Sequence, residues 1–344
     1  MMGFFYFMAV YCSKRFALLL CLRKIIISNH VSSWYNVPMS QVISASRRTD
    51  IPAFYSDWFV NRLQAGYVFV KNPFSHKVFR VSLDPRDVSA IVFWSKSYSP
   101  LLNKLESIEK TTKRLFFHFT ITANKELESN TPDFREAIRD YQFIARRYSP
   151  DQIVWRYDPI CMTDKLSFEI IEERFVRCAG MLKGYTQKCL ISFVHPYKKV
   201  LANLKKYTDH ALTELTEENK KEYAYRLAKR AEEFDIRLFA CCNDFLLSDR
   251  ILKASCIDGK RLAEIFNVTI DTRPASIRKE CACTRSVDIG AYDTCAHGCV
   301  YCYANADKNR ARESQQRQNQ GWNALGLNVS EELAAVCDVQ PAAS

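Results

Sequence analysis

Leu115-Phe116-Phe117-His118-Phe119-Thr120-Ile121-Thr122, then helical spacing over Phe134–Arg147, then Ile153-Val154-Trp155-Arg156-Tyr157-Asp158, is the stretch that decides the fold. Short runs rich in aromatic and β-branched residues favour strands, and the segment between them is long enough for a crossover helix. Such a βαβ unit sets its two strands parallel in one sheet. The alternation extends both ways. Further strands are predicted at Val42–Ser46, Tyr67–Lys71, Ala90–Ser95, Cys189–His195, Ile236–Cys241 and Asn267–Ile270. Further helices are predicted at Phe54–Leu63, Leu101–Lys110, Phe168–Leu182 and Thr216–Phe234. Lys71–Val81, with Asn72-Pro73 and Ser75-His76, reads as a hairpin after the second strand. Roughly six to eight repeats predict an α/β fold, a TIM-like (β/α) barrel, complete or partial, over residues 41–275.

The chain has 344 residues, 48% of them hydrophobic, and a net charge of +11 that is spread along its length. It shows no G-x-G-x-x-G or P-loop. Its 14 cysteines sit in too long a chain for a small disulfide scaffold. Cys161, Cys178 and Cys189 lie among apolar or helical neighbours and read as reduced core thiols, which fits a cytoplasmic protein. Within residues 1–38, Lys14, Arg15, Arg23 and Lys24 interrupt the apolar runs, so no membrane span is expected. That extension is expected to lie outside the fold: deleting it should leave solubility and metal content intact, as purification and metal analysis of the shortened chain would show. Residues 307–344 read as a polar, largely flexible tail, with a short helix at Glu331–Cys337.

In a β/α barrel, reactive groups gather where strands run into the following loops. The strand ends here are Ser44-Ala45-Ser46-Arg47-Arg48-Thr49-Asp50, Phe93-Trp94-Ser95-Lys96, Trp155-Arg156-Tyr157-Asp158-Pro159, Ser192-Phe193-Val194-His195 and Cys241-Cys242-Asn243-Asp244. His118, Thr120 and Thr122 alternate along one strand and so share a face. Arg47, Lys96, Arg156, Asp158 and His195 are the candidate catalytic residues. The cations among them, with Arg48, would ring a mouth suited to a carboxylate or phosphate. Ser46, Asp50, Trp155, Ser192 and Tyr301 are the candidate cofactor-binding residues.

Residues 276–306 hold five cysteines within 22 residues. Cys295, Cys299 and Cys302 are spaced C-x3-C-x2-C, which lets one loop offer three thiolates to a [4Fe–4S] cluster and leaves its fourth iron open. Gly298 permits a tight turn there. A structural zinc site using C-x-C, C-x3-C and His297 is the competing reading. Cys281 and Cys283 are candidates for a further ligand, a second metal site or a redox partner. A vicinal pair such as Cys241-Cys242 cannot point both side chains inward on a regular strand.

Ile43–Pro52, Val92–Lys96, Trp155–Pro159 and Asp288–Tyr292 leading into Cys295–Ala304 resemble the family known as domain of unknown function 1848. The resemblance covers roughly residues 41–306. That family's terminal cysteines are described as similar to the cluster motif of radical S-adenosylmethionine enzymes. His297–Ala304 also resembles the cluster loop of spore-photoproduct-lyase-type proteins, which act on DNA lesions. The family implies no settled activity; the cysteine spacing and the cationic strand ends together lead us to expect a [4Fe–4S] enzyme that uses S-adenosylmethionine and a reductant to generate a deoxyadenosyl radical, abstracting hydrogen from an anionic substrate, whether a small molecule or a nucleic acid. The alternatives are a nucleic-acid-binding or lesion-repair protein with a structural cluster, and a zinc-stabilised barrel without redox chemistry. Here the triad follows the strands instead of the first strand, so its loop must close over a mouth already built.

Overall fold

The computed structural model describes residues 40–275, 278–330 and 332. The 1–38 extension and, apart from Glu332, the expected helix at Glu331–Cys337 lie outside the described residues. The strands are β1 (Gln41–Ala45), β2 (Tyr67–Lys71), β3 (Val78–Ser82), β4 (Val88–Ser95), β5 (Leu115–Thr120), β6 (Ile153–Ile160), β7 (Lys188–Phe193), β8 (Arg237–Ala240), β9 (Ile251–Lys253) and β10 (Val287–Asp288). Eight of them form one sheet in the order β10-β1-β4-β5-β6-β7-β8-β9, parallel at every pairing. β2 and β3 form a separate antiparallel hairpin.

Both faces of the sheet are covered, as parallel sheets require. Ile43, Phe93, Phe117, Phe119, Trp155, Ile191 and Leu238 face the helices Phe134–Arg147, Phe168–Leu182 and Glu217–Glu232, and form the main core with Ile138, Tyr141, Phe175 and Leu227. The alternate residues Val42, Val92, Phe116, Val154 and Leu190 pack on the other face against Ile257, Leu262, Ile270 and Cys283. The Phe134 helix starts where the Asp133 carboxylate accepts the Arg135 N–H at 2.9 Å, which satisfies one of its orphan donors.

A closed barrel is not formed. β9 has three residues and β10 two, and they do not pair with each other. Between them the chain runs through the helix Gly259–Phe266, whose Leu262 joins that second apolar cluster and fills the space beneath the sheet. The expected strand Asn267–Ile270 is absent because Asn267 ends this helix in the left-handed conformation, with φ of 49°. The region read as a flexible tail includes the helix Lys308–Arg317, started by Asp307 accepting the Asn309 and Arg310 N–H groups. Beyond it, the Trp322 and Asn323 carbonyls accept from the Trp58 indole and the Phe69 N–H, both at 2.8 Å, and Ala324 and Val329 pack on Phe69. Tertiary burial therefore orders a segment whose own pattern gives little signal. Among the described residues, no helix is long and apolar enough to cross a membrane.

Candidate functional site

The carboxyl edge of the sheet is organised by carboxylates. Asp288, on β10, accepts from Ser44 Oγ at 2.8 Å, Ser46 Oγ at 2.6 Å and the Arg47 N–H at 2.8 Å. Its carboxylate also lies 3.7 Å from Arg47 Nε and 3.9 Å from Arg48 Nε. Gly290 follows, and a Cβ there would stand 2.0 Å from Ser46 Oγ, so only glycine lets the segments after β1 and β10 approach this closely.

From β4 to β7 a second constellation lines the same edge. Trp94 stacks on His118 with ring centres 4.3 Å apart, and the Arg156 and Arg47 guanidinium groups stand 5.2 Å and 5.8 Å from the Trp94 ring. Asp158 is bonded by both Arg156 and Ser192. Burial, and then the Arg156 charge, push the His118 pKa down to about 4, so the imidazole is neutral at pH 7 and adds no charge.

The cysteine loop is tied to these elements at many points. His297, buried, bonds Asp50 Oδ2 through Nε2 at 2.7 Å; Asp50 also accepts from Ser95 Oγ at 2.7 Å and the Lys96 N–H at 2.8 Å. Tyr55 donates to the Thr294 carbonyl at 2.5 Å, and Asn305 Nδ2 to the Cys295 carbonyl at 2.7 Å. Glu128, in the loop after β5, accepts from both Thr122 Oγ1 and the Tyr301 hydroxyl, and its other oxygen lies 3.0 Å from Lys96 Nζ. That last contact is an ion pair and not an aligned hydrogen bond. Burial works against the Lys96 ammonium, but Glu128 and Cys299 more than restore it and hold its pKa above the usual value.

Cys295, Cys299 and Cys302 are brought together: burial raises the pKa of all three, and they lie near enough that Cys302 and Cys299 raise that of Cys295 further and Cys302 that of Cys299. Cys302 Sγ accepts the Ala304 N–H at 3.3 Å. Gly298 has φ of 70°, and a Cβ on it would stand 2.8 Å from Ser129 Oγ. Gly298→Ala should therefore cost about 1–3 kcal/mol and loosen the loop, read as a lower denaturation midpoint with unchanged slope. Among the described residues, no group of three or more His, Cys, Asp or Glu side chains is placed to hold a metal ion. A cubane spreads its three thiolates over three irons and does not need them to converge on one. Three thiols on one glycine-turned loop, one buried and two half-buried, beside a backbone N–H aimed at sulfur, form a donor set of the kind such a cluster takes.

The structure brings Ser46, Arg47, Asp50, Lys96, Arg156, Asp158, Ser192 and Tyr301 to this edge or its loops. Trp155 is not among them: it faces the helices, fully buried against Phe175 at 4.9 Å, and donates to the Ile121 carbonyl. His195 is exposed, with its ring against Tyr197. Cys281 and Cys283 meet Cys242 and Cys256. Glu128, Asp288 and Cys256 were not singled out from the sequence. Asp288 had a signal, its place in the quoted Asp288–Tyr292 stretch; a lone Glu in a loop has none.

No curated protein matches the chain. Among solved structures, one described as a "putative Mandelate racemase/Muconate lactonizing enzyme" from Labrenzia alexandrii DFL-11 aligns with 13% identity over 66% of this chain and 56% of that one, at a TM-score of 0.24. The family model described as "Domain of unknown function (DUF1848)" matches residues 42–304, a span that takes in the Asp288 cradle and all three cysteines of the loop, and the chain belongs to that family.

Proposed function

We propose that the chain is a [4Fe–4S] enzyme of the radical S-adenosylmethionine type, with Cys295, Cys299 and Cys302 as the protein ligands. The observation that carries this reading is the triad itself, three thiols grouped on one loop, Cys299 buried and Cys295 and Cys302 half-buried, and fastened through Asp50 and Glu128 to the carboxyl edge of a parallel sheet. Bound there, the cluster supplies an iron open to the cofactor's amine and carboxylate and the electron for reductive cleavage of its sulfonium.

The chain's own residues would bind and orient. Arg47, Arg48, Lys96 and Arg156 are each matched by a carboxylate, so the mouth is a field of alternating charge and not a bare cationic ring. Such a field suits a zwitterion with hydroxyls, as S-adenosylmethionine is. Trp94 offers a ring face, Asp158 and Ser192 offer partners for ribose hydroxyls, and buried Tyr301 excludes water from beside the triad. The nucleic-acid alternative draws on the +11 charge, but these four cations are already committed.

The test is anaerobic reconstitution, strong reduction and addition of the cofactor. Deoxyadenosine release is expected, and it should fall at least about a hundredfold in Arg156→Ala, whose loss also frees Asp158. No deoxyadenosine from a protein with a full complement of iron would end the proposal.

A further inference from the structure

A second group of thiols lies apart from the triad's loop, on the face of the sheet that carries Leu262 and Ile270. Cys241 and Cys242 follow β8, Cys256 follows β9, and Cys281 and Cys283 precede β10. Three distant segments thus deliver five cysteines to one place. Cys241 and Cys256 hold their sulfurs 3.2 Å apart. Cys283 lies near enough to Cys256, Cys242 to Cys241, and Cys281 to Cys242, to shift the pKa of the second thiol in each pair. Cys241, Cys256 and Cys283 are 7%, 7% and 3% exposed.

The backbone is bent to make this meeting. A regular strand would send Cys241 and Cys242 to opposite faces, but β8 ends at Ala240 and Cys242 adopts φ of 52°. Glu280, just before Cys281, has φ of 66°. Non-glycine residues in the left-handed region are held there by their surroundings and cluster at functional sites. The sulfurs are also supplied with donors. The Ile257 N–H points at Cys283 Sγ at 3.4 Å, and Arg156 Nη1 donates to Cys256 Sγ at 3.2 Å. N–H and guanidinium groups directed at sulfur are what metal-bound thiolates receive from their surroundings.

We propose that Cys241, Cys256 and Cys283, with Cys242 or Cys281 as the fourth ligand, form a structural tetrathiolate site for a single zinc ion. The spacing favours one ion over a cluster. Zinc–sulfur bonds of about 2.3 Å in a tetrahedron put sulfurs about 3.8 Å apart, so Cys241 and Cys256 need open by only about 0.6 Å. Among the described residues no three such side chains converge on an ion as they stand, so the remaining ligands would draw together on binding. A zinc there would pin the β8, β9 and β10 segments together at the two unpaired edges of the sheet, where the chain lacks the strand pairing a closed barrel would provide. Arg156, shared with Asp158, would offset the negative charge of the four thiolates and tie the site to the mouth. The inference does not rest on the reading of the triad.

The experiment uses the full-length chain with Cys295, Cys299 and Cys302 all changed to Ser, so that iron bound at the triad cannot contribute. Zinc alone and cobalt(II) alone are the probes. About one zinc per chain is expected, with the intense visible bands and sulfur-to-cobalt charge transfer of tetrahedral thiolate coordination. Adding Cys256→Ser or Cys283→Ser should bring zinc to near zero, while Cys178→Ser, a buried thiol elsewhere, should leave it unchanged. If the triple variant does not fold, zinc-edge X-ray absorption of the wild-type chain reads the same shell, and four sulfurs at about 2.3 Å are expected. A folded variant that takes up neither metal, a zinc shell dominated by nitrogen and oxygen, or a Cys241–Cys256 disulfide in protein kept under reductant would each overturn the proposal. Loss of iron in the triad variant with zinc retained separates this site from the first.

Discussion

Glu128→Ala is expected to lower the unfolding free energy by about 3–5 kcal/mol, because it leaves the Lys96 ammonium buried without its counter-charge. The Glu128 side chain is 5% exposed and that of Lys96 14%, so water does little to replace the lost partner. The same substitution strands the hydroxyls of Thr122 and Tyr301, which both donate to Glu128. A loss of this size is a large part of the stability of a typical domain. Glu128→Gln keeps an acceptor for one hydroxyl and should lose less. Lys96→Met combined with Glu128→Ala should recover part of the loss, since no uncompensated charge then remains. Guanidinium unfolding of the wild type, Glu128→Ala, Lys96→Met and the double variant forms a double-mutant cycle; additive effects would mean the buried pair does not hold the loop.

Gly290→Ala is expected to be nearly as damaging, at about 3 kcal/mol, through overpacking. The new methyl group would lie 2.0 Å from Ser46 Oγ and 2.6 Å from Ser46 Cβ. A rotation of the Ser46 side chain cannot relieve the second contact, so the backbone after β1 must move. Ser46 would then release Asp288, which it now bonds at 2.6 Å, and the Arg48 N–H, which it accepts at 2.9 Å. Ser46→Gly in the Gly290→Ala background should restore much of the thermal midpoint, although neither change does so alone. If Gly290→Ala unfolds at the wild-type temperature, the close approach of the two segments is not as described.

Much of this architecture was legible because its signals are local. The helices Phe134–Arg147 and Phe168–Leu182 have the predicted limits, and β2 and β5 start where the sequence places them. β9 and β10 were missed because strands of three and two residues carry no periodicity, and their pairing is decided by what they meet. A barrel, complete or partial, was expected from the count of βα repeats, but repeats do not reveal that the helix Gly259–Phe266 turns inward and leaves the edges apart. At the site, the triad announced itself through spacing. Its fastening did not, since Glu128 and Asp50 act through partners 173 and 247 residues away in sequence. The second thiol group was half visible as Cys241-Cys242 and Cys281-Ala282-Cys283, but Cys256, which joins the two, stands alone in the sequence. The cationic mouth was read from its arginines and lysine and from Asp158, which answers Arg156 two residues away; Asp288 and Glu128, which answer Arg47, Arg48 and Lys96, come from other segments.

Iron and sulfide analysis of anaerobically purified protein, wild type beside Cys299→Ser, tests the central claim most directly. About four irons and four sulfides per chain are expected in the wild type, with near-complete loss in the variant. A wild-type chain that binds no iron when sulfide and iron are supplied, or a Cys299→Ser chain that keeps its full complement, would contradict it.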